Sequence, residues 1–239
     1  MKSLNHKTKK RIKIIFSIVM AVLFISITAF VGWASFYYKA EPIAIEIMEN
    51  DNNISVIDNF TIIQALEPSN TALIFYPGAK VEAISYLPML EKLKQNGITS
   101  IIVKMPFNMA IFNSNAADDV FKLLPNIKNW YIGGHSMGGA MASSYASKNM
   151  DKVKGLILLG AYIYGDYPPD HALTIYGTFN SNLEKNIDYT ENIVIIEGGN
   201  HAQFGNYGKQ KGDPTATISS DQQQNIAVDA IIKFIDKNK

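Results

Sequence analysis

A chain of 239 residues has room for a membrane segment and one domain of roughly 200 residues. It contains no cysteine, which excludes a disulfide framework, a thiolate nucleophile and a cysteine metal site. The net charge of +1 conceals an asymmetry: seven of the 22 basic residues lie in 1–39, where there is no acid, so the rest sets 15 basic residues against all 21 acids, a net of −6. A mildly acidic domain lacks the basic face that nucleic acid requires, so no nucleic-acid partner is expected.

Residues Ile14 to Tyr38 form 25 consecutive uncharged positions. At about 1.5 Å per residue in a helix they can cross a hydrocarbon core of about 30 Å with some tilt. Six of the seven basic residues precede the run. The positive-inside rule then makes 1–13 a cytoplasmic basic segment, 14–38 a transmembrane anchor and 40–239 an extracytoplasmic domain. Trp33, Tyr37 and Tyr38 stand at the outer end, where amphipathic rings favour the interface. The alternative is a cleaved signal peptide followed by secretion, for which Gly32-Trp33-Ala34 offers small residues. The length of the run, beyond the roughly 7–15 residues of a signal core, favours the uncleaved anchor.

From Glu41 the rhythm changes. Ile43–Met48 and Ile54–Ile63 alternate as strands with one wet face do, and Asp51-Asn52-Asn53 reads as the hairpin turn between them. Thr71–Tyr76, Ser100–Met105, Asn129–Ile132, Val153–Leu159, Leu173–Tyr176 and Ile193–Ile196 are compact apolar runs that suit strands buried on both faces. Helical patterns lie between or after them at Ala83–Gln95, Ala116–Leu124, Gly138–Lys148 and Asp221–Asp236, the last with Asp221 as its N-cap. The expected fold is therefore α/β, a mostly parallel central sheet with helices on both faces, preceded by one N-terminal transmembrane helix.

A strand pattern runs into Gly134-His135-Ser136-Met137-Gly138 and a helix pattern follows. This is G-x-S-x-G in the context that gives it meaning, a sharp strand-to-helix turn that lifts a serine oxygen above the sheet edge. Serine needs a base. His201 follows the last buried strand, in a loop made pliant by Gly198 and Gly199, and is the candidate. His135, beside the serine, reads as a packing residue, and His171 precedes a strand at the wrong end of the sheet. The oxyanion hole should combine the Met137 amide with one from the loop after the first central strand, Tyr76-Pro77-Gly78-Ala79-Lys80, where Ala79 is nominated.

Four segments carry a resemblance to a known family: FYPGAKVEAISYLPMLEKL (75–93), MPFNMAIF (105–112), GGHSMGGAMASSYA (133–146) and GGNHAQFGNYGKQKGDPTATIS (198–219). The chain resembles the α/β-hydrolase superfamily, and within it the small bacterial α/β-hydrolase fold-5 family related to dienelactone hydrolases. The resemblance implies a Ser–Asp–His triad and ester-type hydrolysis. Where the family pattern is close to Y-G-x-x-D, this chain has Tyr176-Gly177-Thr178-Phe179-Asn180. Either Asn180 orients His201 as a neutral amide, or another carboxylate stands in: Asp166 after the strand at 153–159, with Glu184 and Asp188 further along a loop. Tyr207 and Asp213 fall in the last matched block and read as ties for the histidine loop.

No metal cluster, phosphate loop or dinucleotide fingerprint is visible, so no cofactor is expected. The expected activity is hydrolysis of a carboxylic ester or similar small acyl substrate by a membrane-anchored serine hydrolase. A catalytically weakened pseudohydrolase acting as a binding module, and an acyltransferase using the same site, are the alternatives.

Overall fold

The computed structural model describes residues 6–238. Met1 to Asn5, and with them Lys2 of the expected basic segment, lie outside the described residues, as does Lys239. The chain divides between Phe36 and Tyr37 into two units. The first is a single helix, α1 (His6–Ser35), of 30 residues or about 45 Å. Its apolar stretch is not buried, and by length and composition it can cross a membrane.

The second unit begins differently from expectation. Residues 43–48 are not a strand but part of α2 (Pro42–Asn50). Pro42 sits in the first turn, where its missing N–H costs nothing. The residues turned inward are Ala44, Ile47 and Met48, a helical spacing that the alternation of Ile43, Ile45 and Ile47 obscures. Asp51 to Asn53 therefore end a helix rather than turn a hairpin: the Asp51 N–H reaches Ile47 O, and Asp51 Oδ1 accepts from Asn53 N at 2.9 Å. The hairpin lies further on, between β1 (Ile54–Ile57) and β2 (Phe60–Ile63). Asp58 turns it at φ 52°, a conformation that aspartate tolerates.

The remaining strands are β3 (Thr71–Tyr76), β4 (Thr99–Val103), β5 (Asn129–His135), β6 (Gly155–Leu159), β7 (Ala172–Gly177) and β8 (Ile193–Ile196). Their order is β1-β2-β4-β3-β5-β6-β7-β8, antiparallel through β1, β2 and β4 and parallel from β4 onward. Strand β3 shows why such runs are apolar throughout. Leu73 and Phe75 pack on one side with Leu87, Leu90 and residues of the C-terminal helix, while Ala72, Ile74 and Tyr76 pack on the other with Val120, Ala142 and Ala146.

Residues 83–96 do not form one α-helix. A short α3 (Leu87–Leu90) is flanked by tighter 3-10 turns, with Pro88 denying the ladder a donor and Gly97 closing the segment at φ 68°. Helices α4 (Ala117–Leu123), α5 (Met137–Ala146) and α6 (Ser181–Glu184) follow, and α7 (Ser220–Lys237) closes the chain. The cap of α7 is Ser219, not Asp221. Ser219 Oγ accepts from Gln222 N at 3.2 Å and Gln222 Oε1 accepts from Ser219 N at 3.0 Å, a reciprocal pair that leaves Asp221 to meet Lys92.

Because β3 to β8 are parallel, the loops that leave their carboxyl ends share one edge of the sheet. Ala79 follows β3, Ser136 follows β5, Asp166 follows β6, Asn180 follows β7 and His201 follows β8.

Candidate active site

The chain passes from β5 into α5 with a single residue between them, and Ser136 takes φ 53°, ψ −123°. A serine held there is strained. The neighbouring glycines have a steric cause. A Cβ on Gly134 would stand 2.5 Å from Tyr76 O, and one on Gly138 would stand 2.0 Å from Tyr76 O and 2.3 Å from Pro77 O. The elbow is thus pressed against the end of β3, which brings the Ala79 loop beside the serine. Ser136 N donates to Leu159 O at 2.9 Å, while its half-buried hydroxyl does not cap α5. Among the described residues neither the Ala79 nor the Met137 N–H has a protein acceptor, whereas the Gly78 N–H is engaged by Tyr86 Oη at 3.0 Å.

His201 is held by its main chain. Its N–H and that of Ala202 both point at Asp213, at 3.2 and 2.8 Å, and the preceding residue is clamped as Asn200 N donates to Gln223 Oε1 and Gln223 Nε2 donates to Asn200 O. The ring lies over Gly160, where a Cβ would stand 2.8 Å from His201 Nδ1, and 4.5 Å from the His135 ring, centroid to centroid. His201 and the residue before Ser136 therefore touch, although the Ser136 hydroxyl is not hydrogen-bonded to His201 in this arrangement.

Of the proposed third members, Asn180 meets the ring: its Nδ2 lies 3.0 Å from His201 Nδ1. Two glycines make this possible. A Cβ on Gly177 would stand 2.2 Å from the Gly199 carbonyl carbon, so the end of β7 and the histidine loop run in backbone contact, joined by the bond from Phe179 N to Gly199 O at 3.0 Å. Asp166, Glu184 and Asp188 are exposed, and none of them bonds His201.

One arrangement was not legible in the sequence. His135, read there as packing, is buried and bonded at both ring nitrogens, with Tyr86 Oη 2.8 Å from Nδ1 and His201 O 2.9 Å from Nε2. Burial raises the Tyr86 pKa well above its usual value, so the phenol keeps its proton and donates to Nδ1. The His135 proton is then on Nε2, shared with the His201 carbonyl. The chain Gly78–Tyr86–His135–His201 links the loop of Ala79 to the loop of His201 through groups of no net charge. The available signal was Tyr86, a polar-tipped residue beside Ser85 in a mostly apolar stretch.

Burial, and secondarily the charge of His201, pushes the His135 pKa well below 6.5; burial also lowers that of His201, with Asp213 opposing. As pH falls below about 6.5 the unfolded chain takes up protons that the folded chain refuses. Unfolding free energy should then fall by up to about 1.4 kcal/mol per pH unit for each histidine, until the folded pKa is reached. Urea unfolding at several pH values should show this loss, and His135→Gln should flatten it. A variant with the wild-type slope would mean that His135 is not the group responsible.

The alpha/beta hydrolase family model matches residues 72–225, more than half of the chain. Similar solved structures include a soluble variant of monoglyceride lipase from Saccharomyces cerevisiae (TM-score 0.55, 11% identity, 79% of this chain and 96% of that one). A monoacylglycerol lipase from Paleococcus ferrophilus gives a TM-score of 0.53 at 11% identity, over 73% of this chain and 98% of that one. A hormone-sensitive lipase from a metagenome library gives 0.54 at 12% identity, over 82% and 91%. No curated protein sequence matches. These likenesses are likenesses of fold.

Proposed function

We propose, given that this chain belongs to the α/β-hydrolase family, that it is a membrane-tethered serine hydrolase that cleaves carboxylic esters outside the cytoplasm. The observation that carries the reading is Ser136, strained on the turn between β5 and α5, at the edge that also holds His201 and the two unpartnered amides of Ala79 and Met137. The tether rests on the length of α1 and on the basic residues before its apolar run.

In this mechanism Ser136 Oγ attacks the acyl carbon as its proton passes to His201 Nε2. The carbonyl electron pair moves onto oxygen, where the Ala79 and Met137 N–H groups hold it. Collapse breaks the ester C–O bond, and the leaving alcohol takes the proton from Nε2. Water then gives a proton to Nε2 and its oxygen to the acyl carbon. The second collapse releases the carboxylic acid and returns the proton to Ser136.

His201 can serve only if Nδ1 carries a proton and Nε2 is free. Asn180 supports that form by presenting Oδ1 to Nδ1–H. With Nδ2 facing Nδ1, as found, the proton is instead on Nε2. A half-turn of the amide about Cβ–Cγ exchanges the two states. A second reading, a binding module with a silenced site, is favoured by the Nδ2-inward state. Acyl transfer would use the same steps with an alcohol in place of water.

The test is a fluorophosphonate probe on the full-length protein in detergent. Stoichiometric labelling that disappears in Ser136→Ala is expected. An unlabelled wild type, under conditions that label a known serine esterase, would sink the hydrolase reading.

A further inference from the structure

The segment joining α1 to the catalytic unit is short and sewn to the candidate site. α1 ends at Ser35, and Tyr38 is already a bridge partner of Val81. Three peptide units span about 10 Å at full extension. Tyr38 N donates to Lys80 O at 2.7 Å and Tyr38 O accepts from Glu82 N at 2.9 Å, so the tether flanks the loop that carries Ala79. Ala40 N donates to Glu82 Oε2 at 2.8 Å and Glu41 N to Asn206 O at 2.8 Å, reaching the tail of the histidine loop as well. Trp33 and Phe36, the exposed aromatics before this joint, are of the type that settles at a membrane interface.

The same edge carries exposed apolar side chains. Lys80 N donates to Asn108 O at 2.7 Å, tying the Ala79 loop to the loop after β4. That loop presents Ile111 (57% exposed) and Phe112 (50% exposed), and Phe107 stands edge-on to Phe112 at 5.6 Å between centroids. Exposed Tyr164 follows β6 and exposed Phe179 follows β7, adjoining Asn180. Phe107, Ile111 and Phe112, exposed on one loop, form a patch of the kind that meets an apolar phase.

We infer that the carboxyl edge of the sheet docks on the outer leaflet of the bilayer, through the loop bearing Phe107, Ile111 and Phe112, and that the substrate is a long-chain acyl ester drawn from that leaflet. The inference rests on the anchored-hydrolase reading and goes further by naming where the ester resides. The catalytic unit starts beside the oxyanion loop, and only three peptide units of chain separate Tyr38 from the last residue of α1. The reaction is the balanced hydrolysis already given: one water consumed, a fatty acid and the lipid alcohol released.

The experiment uses the full-length protein reconstituted in vesicles of phosphatidylcholine and phosphatidylglycerol carrying monoolein. Fatty-acid release from any of the three is set against hydrolysis of water-soluble p-nitrophenyl acetate by the same preparation. One variant combines Ile111→Ser and Phe112→Ser with about 20 Gly/Ser residues inserted between Phe36 and Tyr37, a spacer of roughly 25 Å. The ratio of vesicle to soluble turnover should fall at least about tenfold, because the apolar contact and the short joint are both gone. A ratio that holds within about twofold overturns the inference. So does a wild type that cleaves the soluble ester and no vesicle ester, and in both cases the hydrolase reading stands. A protein that cleaves neither ester and takes no fluorophosphonate overturns both.

Discussion

Asn180→Asp should raise kcat on a soluble ester by between about 10² and 10⁴-fold, the upper figure being the cost of the reverse exchange in a serine protease triad. The amide at 3.0 Å from His201 Nδ1 can present either end, and only one end selects the tautomer with a free Nε2. A carboxylate has no donor end. In the proposed mechanism it also faces the imidazolium with a full negative charge at the moment Ser136 loses its proton, which a neutral amide cannot do. Desolvation of the new carboxylate in this half-buried place opposes part of the gain, hence the range. The pH profile supplies a second readout. Burial lowers the His201 pKa in the wild type, so with His201 as the proposed base the acid limb of kcat/KM should lie below pH 6.5. The aspartate favours the protonated ring, so the limb should move up, with activity now lost at a higher pH as the solution is acidified. A folded, probe-labelled variant with unchanged kcat and an unmoved limb would remove position 180 from the mechanism.

With Ser136 as the proposed nucleophile and His201 as the proposed base, removing either should give a loss whose size depends on residue 180. In a complete serine triad the loss of serine or histidine costs on the order of 10⁶ in kcat. If the asparagine already forfeits about 10⁴ of that, Ser136→Ala and His201→Ala should each cost only on the order of 10² in the wild type. In an Asn180→Asp background the same changes should cost on the order of 10⁶. The pair Ser136→Ala and His201→Ala should be no worse than either alone, since the two act as a unit. Folding should survive. The Ser136 hydroxyl caps nothing, and the ties of His201 to Asp213 and His135 run through its N–H and C=O, which alanine retains. Kinetics with p-nitrophenyl acetate, with thermal melts as the control for folding, measure all of this. Equal losses in the two backgrounds would show that residue 180 does not act through the histidine.

Local patterns carried the parallel strands and the long apolar helix because each rests on neighbours in the chain. A run such as TALIFY can be apolar throughout only if both faces are covered, and an uncharged stretch of 25 residues has few homes other than a bilayer. The elbow was legible for a related reason. Its glycines lie within two residues of the serine, and the contact that requires them, the Tyr76 carbonyl, is one fixed feature of a β3–β5 pair. Residues 42–50 misled because an alternating apolar run also satisfies a helix when Ala44, Ile47 and Met48 face inward, and only the surface they pack on selects between the periods.

What tertiary structure alone decided were the meetings between distant residues. Asn180 and Asp166 both follow parallel strands and both could be drawn toward His201 on paper. The backbone contact of Gly177 with Gly199 brings the first to the ring and leaves the second in solvent. The link from Tyr86 through His135 to the His201 carbonyl spans three segments that share no sequence period. The amino-acid order determined which side chains were available, because burial and turn geometry act on near neighbours. Which of those side chains touch was determined by strand order and close backbone approach, which no stretch of sequence carries by itself.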